Sequence, residues 1–133
     1  MNAPTRRLSL ITAAFMTFVW VTRIRNAAGD DAMSTANRNG AFALSAVCLV
    51  GAAVVATLGA RSSRPRWVVA IVVAHGLVWL VRGAQIAAGD RPPGFKVVHV
   101  ALAAVSIALA AAIVRSTRPT RAGDMSHSVG VAS

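Results

Sequence analysis

The chain carries one sequence pattern twice. Residues 19–30 read V-W-V-T-R-I-R-N-A-A-G-D, and residues 78–90 read V-W-L-V-R-G-A-Q-I-A-A-G-D. Each copy continues through a glycine, Gly40 or Gly94, and an Ala/Val-rich run to R-S-S-R-P or R-S-T-R-P. The repeat spans roughly 55 to 60 residues, and each half holds two apolar runs. This pattern predicts a tandem duplication of a two-helix hairpin.

Composition predicts a membrane as the surroundings of both hairpins. Hydrophobic residues make up 56% of the chain and charged residues 14%, whereas about a quarter of a soluble domain is charged. The 133 residues allow one domain. The net charge of +10 comes from short clusters between apolar runs, which is typical of membrane-flanking charge. We therefore expect contact with the lipid bilayer and no nucleic-acid partner.

The apolar runs predict four transmembrane spans, at residues 8–28, 41–60, 67–88 and about 96–114. Spans one and three, each about 31 Å long, match the hydrocarbon core. Gly29 and Gly89 are expected to end them in the left-handed conformation, and the prolines of R-S-x-R-P to end the other two. The predicted fold is an all-α integral membrane protein with a pseudo-twofold axis along the membrane normal.

The predicted domain organisation is a four-helix transmembrane domain at residues 1–119 and a polar, disordered tail at 120–133. Repeat one covers about 8–65 and repeat two about 67–119. The opening T-R-R-L-S-L resembles a signal peptide, but its repeat partnership with span three favours a retained helix. The Ala-, Val- and Arg-rich composition suggests a bacterial cytoplasmic membrane. Basic residues are in excess on the side of the termini, which favours both termini in the cytoplasm.

Six polar side chains are predicted to form one layer near the outer leaflet. The shared motif W-x-x-R-x-x-[NQ] places an arginine and an amide on one helix face, and the ungapped alignment adds a serine and a histidine at similar depth. The arginines could snorkel to the interface and pair with Asp30 or Asp90, turn inward to bind an anion such as a lipid phosphate, or contact another protein. The layer consists of Arg23, Asn26, Ser45, Arg82, Gln85 and His99.

His75 is the ionisable residue expected near mid-membrane, which makes it a functional candidate. Its repeat partner is Met16, so the duplicated fold does not require a histidine there. A hydrogen-bonded packing role and a role as ligand or proton carrier both remain open. His75 and His99 are expected to lie about 15 Å apart in depth, too far to ligate one haem.

Small residues at four-residue spacing predict the packing. Spans two and four carry such stripes, which suggests that they form the tight centre of the bundle. The stripes are Ala52, Ala56 and Ala60 in span two and Ala104, Ala108 and Ala112 in span four, with Gly51 and Gly59 as a second small face. Aromatic residues are concentrated in spans one and three. Those spans are therefore expected to face lipid or a partner.

The sequence predicts no catalytic residue, no cofactor and no metal site. It contains no paired carboxylates in a span, no Ser/His/Asp grouping and no clustered Cys/His spacing. Two function classes remain. The first is a non-enzymatic structural or accessory subunit that assembles with itself or with a protein partner. The second is a transporter or anion/lipid-binding protein that uses the paired arginines.

Overall fold

The computed structural model describes residues 3–61 and 65–117. These residues form four helices: α1 (Ala3–Ala28), α2 (Thr35–Ala60), α3 (Pro65–Ala88) and α4 (Pro93–Thr117). Each helix is long and apolar enough to cross a membrane. The prediction of an all-helical fold with four candidate membrane spans is confirmed. The predicted tail at 120–133 lies outside the described residues.

The C-terminal ends of α1 and α3 fall at the predicted positions, but not in the predicted conformation. The N–H groups of Gly29 and Gly89 donate to the carbonyls of Arg25 and Gln85 at 3.1 and 3.0 Å. These are ordinary helical bonds between a residue and the fourth one before it. Neither glycine has a φ in the left-handed region. The prediction of left-handed glycine stops is therefore wrong.

Helix α2 begins earlier than the apolar run that predicted it. Ser34 is the N-cap, with extended φ and ψ of −61° and 150°, and its hydroxyl accepts from the N–H of Asn37 at 3.3 Å. Serine is favoured at this position because its oxygen satisfies one of the free N–H groups of the first turn. The polar stretch before residue 41 therefore extends the helix by six residues, from Thr35.

The helices form a ring in chain order. The most extensive contacts join α1 to α2 and α3 to α4, and smaller ones join α2 to α3 and α1 to α4. At one end the hydroxyl of Thr5 donates to the carbonyl of Ser116 at 3.3 Å, which links the start of α1 to the end of α4. The chain is thus two hairpins side by side, with α1 and α3 facing each other across the bundle.

Small residues allow the closest helix contacts within each hairpin. A β-carbon added at Gly59 would lie 2.6 Å from Cβ of Ser9, and one added at Gly83 would lie 3.1 Å from Cβ of Ala103. Such separations are below normal van der Waals contact. Backbones therefore approach closely at these two points, as small residues permit in membrane helix pairs.

The centre of the bundle belongs to α1 and α3, which corrects the packing prediction. Trp20 and Trp79 are only 1% and 6% exposed, and their rings lie 6.1 Å apart. Ala52 of α2 is buried, but Ala104 and Ala108 lie on the outside of α4. The prediction fails for two reasons. Helix α4 buries the face that contains Ser106, which lies beside the predicted alanine face. In addition, large side chains are needed to fill the space between helices that lie across the bundle from each other.

The two halves of the chain bury the same positions of their first helices. Four pairs matched by the repeat are buried in both copies. The inward face is therefore the same in α1 and α3, although the residues on it differ. The pairs are Ser9 with Val68, Ala13 with Val72, Met16 with His75, and Trp20 with Trp79.

A paired-arginine crevice as the candidate functional site

A small crevice lies near the C-terminal ends of α1 and α3, beside the second turn of α4. Its volume is about 20 Å³, enough for about one water-sized group. The W-x-x-R spacing brings tryptophan and arginine to one face of each helix, since residues three apart are neighbours on a helix surface. The crevice is lined by Trp20, Arg23, Trp79, Arg82, Ile86 and His99.

The two arginines line the same crevice, and among the described residues neither has an acidic partner. Both are half-buried, so their like charges repel each other across it. The Cζ atom of Arg23 is 6.0 Å from the ring centre of Trp20, within cation–π range. Within residues 3–61 and 65–117, neither arginine forms an ion pair with Asp30 or Asp90. The structure therefore does not adopt the predicted pairing with the loop aspartates.

Two residues that line this crevice each have a buried N–H donor with no acceptor among the described residues. The donors are Nε of Arg23 and Nε1 of Trp79. Buried polar groups in native structures are nearly always hydrogen-bonded, because leaving one unpaired costs the free energy of its lost hydration. Because two such groups belong to residues of the same crevice, most of the buried donors without an acceptor in the described part of the bundle lie in this one place.

His99 lines the crevice from α4, and its ring is held in place by contacts with Phe95 and Trp79. Its Nδ1 donates to the Phe95 carbonyl at 2.8 Å, and the two rings stack with their centres 3.9 Å apart. The other side of the imidazole faces Trp79, with ring centres 6.4 Å apart. The orientation of His99 is therefore fixed by its own helix and by α3.

The remaining residues of the predicted polar layer lie elsewhere. Asn26 and Gln85 are exposed on the outside of their helices. Ser45 is buried, but its hydroxyl donates to the Ala41 carbonyl at 2.7 Å within α2. Of the six predicted residues, the crevice contains Arg23, Arg82 and His99.

His75 lies in α3 one helical turn before Trp79, and it is hydrogen-bonded to a residue of α1. Nε1 of Trp20 donates to Nε2 of His75 at 3.0 Å, and the two rings meet edge to face with centres 6.1 Å apart. Because Nε2 accepts, it carries no proton in this arrangement. The geometry is that of a packing histidine which orients Trp20. The sequence predicts that His75 lies within the span, but it does not predict this partner.

The described residues offer no evident metal site. Among residues 3–61 and 65–117, no group of three or more His, Cys, Asp or Glu side chains lies close enough together to hold a metal ion. Comparison of the chain with protein families, with curated proteins and with solved structures finds no match. The function must therefore be inferred from the chain itself.

Proposed function

We propose that this chain is a multi-pass protein of the bacterial cytoplasmic membrane, built by duplication of a helical hairpin, with both termini in the cytoplasm. The outer faces of the helices support insertion. Large apolar side chains such as Phe18, Val47 and Val97 are 67, 70 and 68% exposed. Four helices that present such residues outward bury them by spanning a bilayer, where backbone groups are satisfied within each helix.

Within the membrane, the protein acts as a non-enzymatic structural or accessory subunit. The observation that carries this proposal is the filled interior of the bundle. Four apolar side chains, in the middle of the bundle and in the half that contains the start of α1, are each 0% exposed: Met16, Val55, Val68 and Ile113. A packed core of this kind supports a scaffold better than a conduit. The apolar outer faces are then available to lipid, to a second copy or to a larger membrane partner.

Native mass spectrometry of the gently extracted protein tests the accessory role. We expect either a defined homo-oligomer or a protein partner at fixed stoichiometry, and this stoichiometry should persist over a tenfold dilution in the same detergent. Dilution serves as the control because fortuitous association in micelles weakens with it. A monomer with no protein partner under every extraction condition would contradict the proposal.

Reporter fusions test insertion and orientation separately. A fluorescent protein fused after Ser133 should fold and fluoresce in the cytoplasm, whereas alkaline phosphatase inserted after Asp31 should be active outside it. The reverse pattern would contradict the proposed orientation. Release of the protein from membranes by alkaline carbonate would contradict insertion itself.

A further inference from the structure

We propose that the crevice between Arg23 and Arg82 binds an anionic phosphate group, either the headgroup phosphate of a lipid or a free phosphate. This site goes beyond the accessory role and does not depend on it. Only the lipid source requires the proposed membrane insertion. The argument rests on the charge of the crevice, its unpaired donors, and its size and position.

Within the part of the chain that the structure describes, no acidic side chain compensates the charge of the crevice. Two guanidinium groups from helices on opposite sides of the bundle come close enough to repel, and arginine stays protonated at any physiological pH. Repulsion between like charges grows as the surroundings become less polar. An anion between Arg23 and Arg82 turns this repulsion into two attractions, and it supplies the charge that neither Asp30 nor Asp90 provides.

Two donors of the residues that line the crevice need an acceptor. Nε of Arg23 and Nε1 of Trp79 are buried, and neither has a hydrogen-bond partner within residues 3–61 and 65–117. An anionic oxygen accepts from both kinds of group, and a hydrogen bond to an ion is about twice as strong as one between neutral groups. The planar guanidinium fork matches both carboxylate and phosphate. The tetrahedral oxygens of phosphate also accept from more directions than a planar carboxylate offers, which suits donors from two helices.

The size and depth of the crevice indicate how the ligand enters. About 20 Å³ admits an oxygen of the phosphate but not the whole ligand, so the remainder lies at the mouth. Arg82 is six residues before the end of α3 at Ala88, about 9 Å along the helix axis. In an inserted bundle this depth lies near the boundary between headgroups and acyl chains, where a lipid phosphate reaches it from the side.

Ligand titrations of delipidated protein in uncharged detergent test this site. The probes are dihexanoyl phosphatidylglycerol, dihexanoyl phosphatidylcholine as the zwitterionic match, and inorganic phosphate. The readouts are the Tm and retention of the lipid in native mass spectra. The variants are Arg23→Gln and Arg82→Gln. The control is Arg25→Gln, which removes the same charge from an exposed position of the same helix.

We expect phosphatidylglycerol to raise the Tm of the wild-type protein, with weaker stabilisation by phosphatidylcholine. Each crevice variant should bind about tenfold or more weakly, because it loses a charge-assisted hydrogen bond. Arg25→Gln should stay within about twofold of wild type. Without ligand, Arg23→Gln should have a higher Tm than wild type because the repulsion from Arg82 is gone. A merely structural arginine would show the opposite change.

The probes also separate the two sources of the phosphate. Stabilisation by phosphatidylglycerol alone assigns the site to lipid, whereas equal, arginine-dependent stabilisation by inorganic phosphate assigns it to a soluble anion. Binding that is unchanged in Arg82→Gln, or that falls equally in Arg25→Gln, would overturn the proposal. If Arg23→Gln does not fold, Arg23→Lys keeps the charge without the guanidinium fork and should bind at an intermediate strength.

Discussion

The two tryptophans at matched positions of the repeat differ in the hydrogen bonding of their indole N–H groups, and one substitution in each measures the difference. Nε1 of Trp20 donates to Nε2 of His75 at 3.0 Å, whereas Nε1 of Trp79 is buried and has no acceptor in the described part of the chain. Trp20→Phe therefore removes a bond and leaves His75 without a donor. Trp79→Phe removes only a donor that was already unpaired, so it serves as the matched control.

The expected difference follows from the cost of an unpaired buried group. In soluble proteins that cost is about 1–3 kcal/mol, but hydrogen bonds between membrane helices average about 0.6 kcal/mol and reach about 1.7. Both substitutions also shrink an indole to a phenyl ring at a buried position, so the packing loss largely cancels in the comparison. We expect Trp20→Phe to be more destabilising than Trp79→Phe by about 1 kcal/mol, roughly a fivefold change in the folding equilibrium.

Reversible unfolding in mixed micelles, without added phosphate or anionic lipid, measures both variants. Adding His75→Leu completes a double-mutant cycle with Trp20→Phe, and the coupling energy should account for most of the difference. The same cycle with Trp79→Phe should show coupling from ring packing only. If Trp79→Phe proves as destabilising as Trp20→Phe, or the Trp20–His75 coupling is zero, the assignment of the hydrogen bond is wrong.

Four further substitutions, one of them a control, test the packing, the capping and the surroundings of the bundle. Gly59→Val should lower the free energy of unfolding by about 1–3 kcal/mol because its β-carbon meets Ser9. The control is Gly40→Ala in the same helix, where no described atom lies within 4 Å of an added β-carbon, and it should raise the free energy of unfolding by up to about 1 kcal/mol. Equal effects of the two substitutions in a denaturant titration would contradict the close approach of α1 and α2. Ser34→Ala should cost about 1 kcal/mol by removing the N-cap of α2, measured in the same titration, and a neutral result would show that the cap does not contribute. Val47→Lys, near the middle of α2, should cost about 2.5–3.5 kcal/mol for insertion and reduce the membrane fraction in a glycosylation-based insertion assay, whereas a bundle in water would tolerate it.

The ends of the first and third helices could be predicted because the repeat carries local information. The shared A-A-G-D places the end of each helix at the same point of the pattern, and α1 and α3 do end at Ala28 and Ala88. The N-terminal extension of α2 was not predicted because hydropathy locates the apolar run rather than the helix. The cap at Ser34 depends on a polar residue that lies outside that run.

The crevice could be predicted in part. Equivalent spacing places Arg23 and Arg82 at one depth, and both line it. The amides were expected beside them, but a separation of three residues turns about 60° around a helix. The edge of the buried face falls within that angle, so Asn26 and Gln85 lie outside it.

The partnership of Trp20 and His75 could not be found from spacing at all. Periodicity reports which residues share a face of one helix, but it says nothing about which side chain on a helix across the bundle meets them. The repeat gave no hint either, because the position equivalent to His75 is Met16. The same limit applies to Nε1 of Trp79, for which the described residues supply no acceptor.

The pairing of one tryptophan and not the other has a consequence for the symmetry of the chain. A dimer of two identical hairpins with methionine at position 16 would leave both indole N–H groups without a histidine acceptor. A dimer of identical hairpins with histidine at that position would give both indole N–H groups the same acceptor. Two hairpins in one chain are free of that constraint, because a change in one half need not occur in the other. Here Trp20 donates to His75, whereas the indole N–H of Trp79 has no acceptor among the described residues. Covalent linkage thus allows two hairpins with matched tryptophans to form a single asymmetric polar centre, in which one indole N–H is hydrogen-bonded and the other is not.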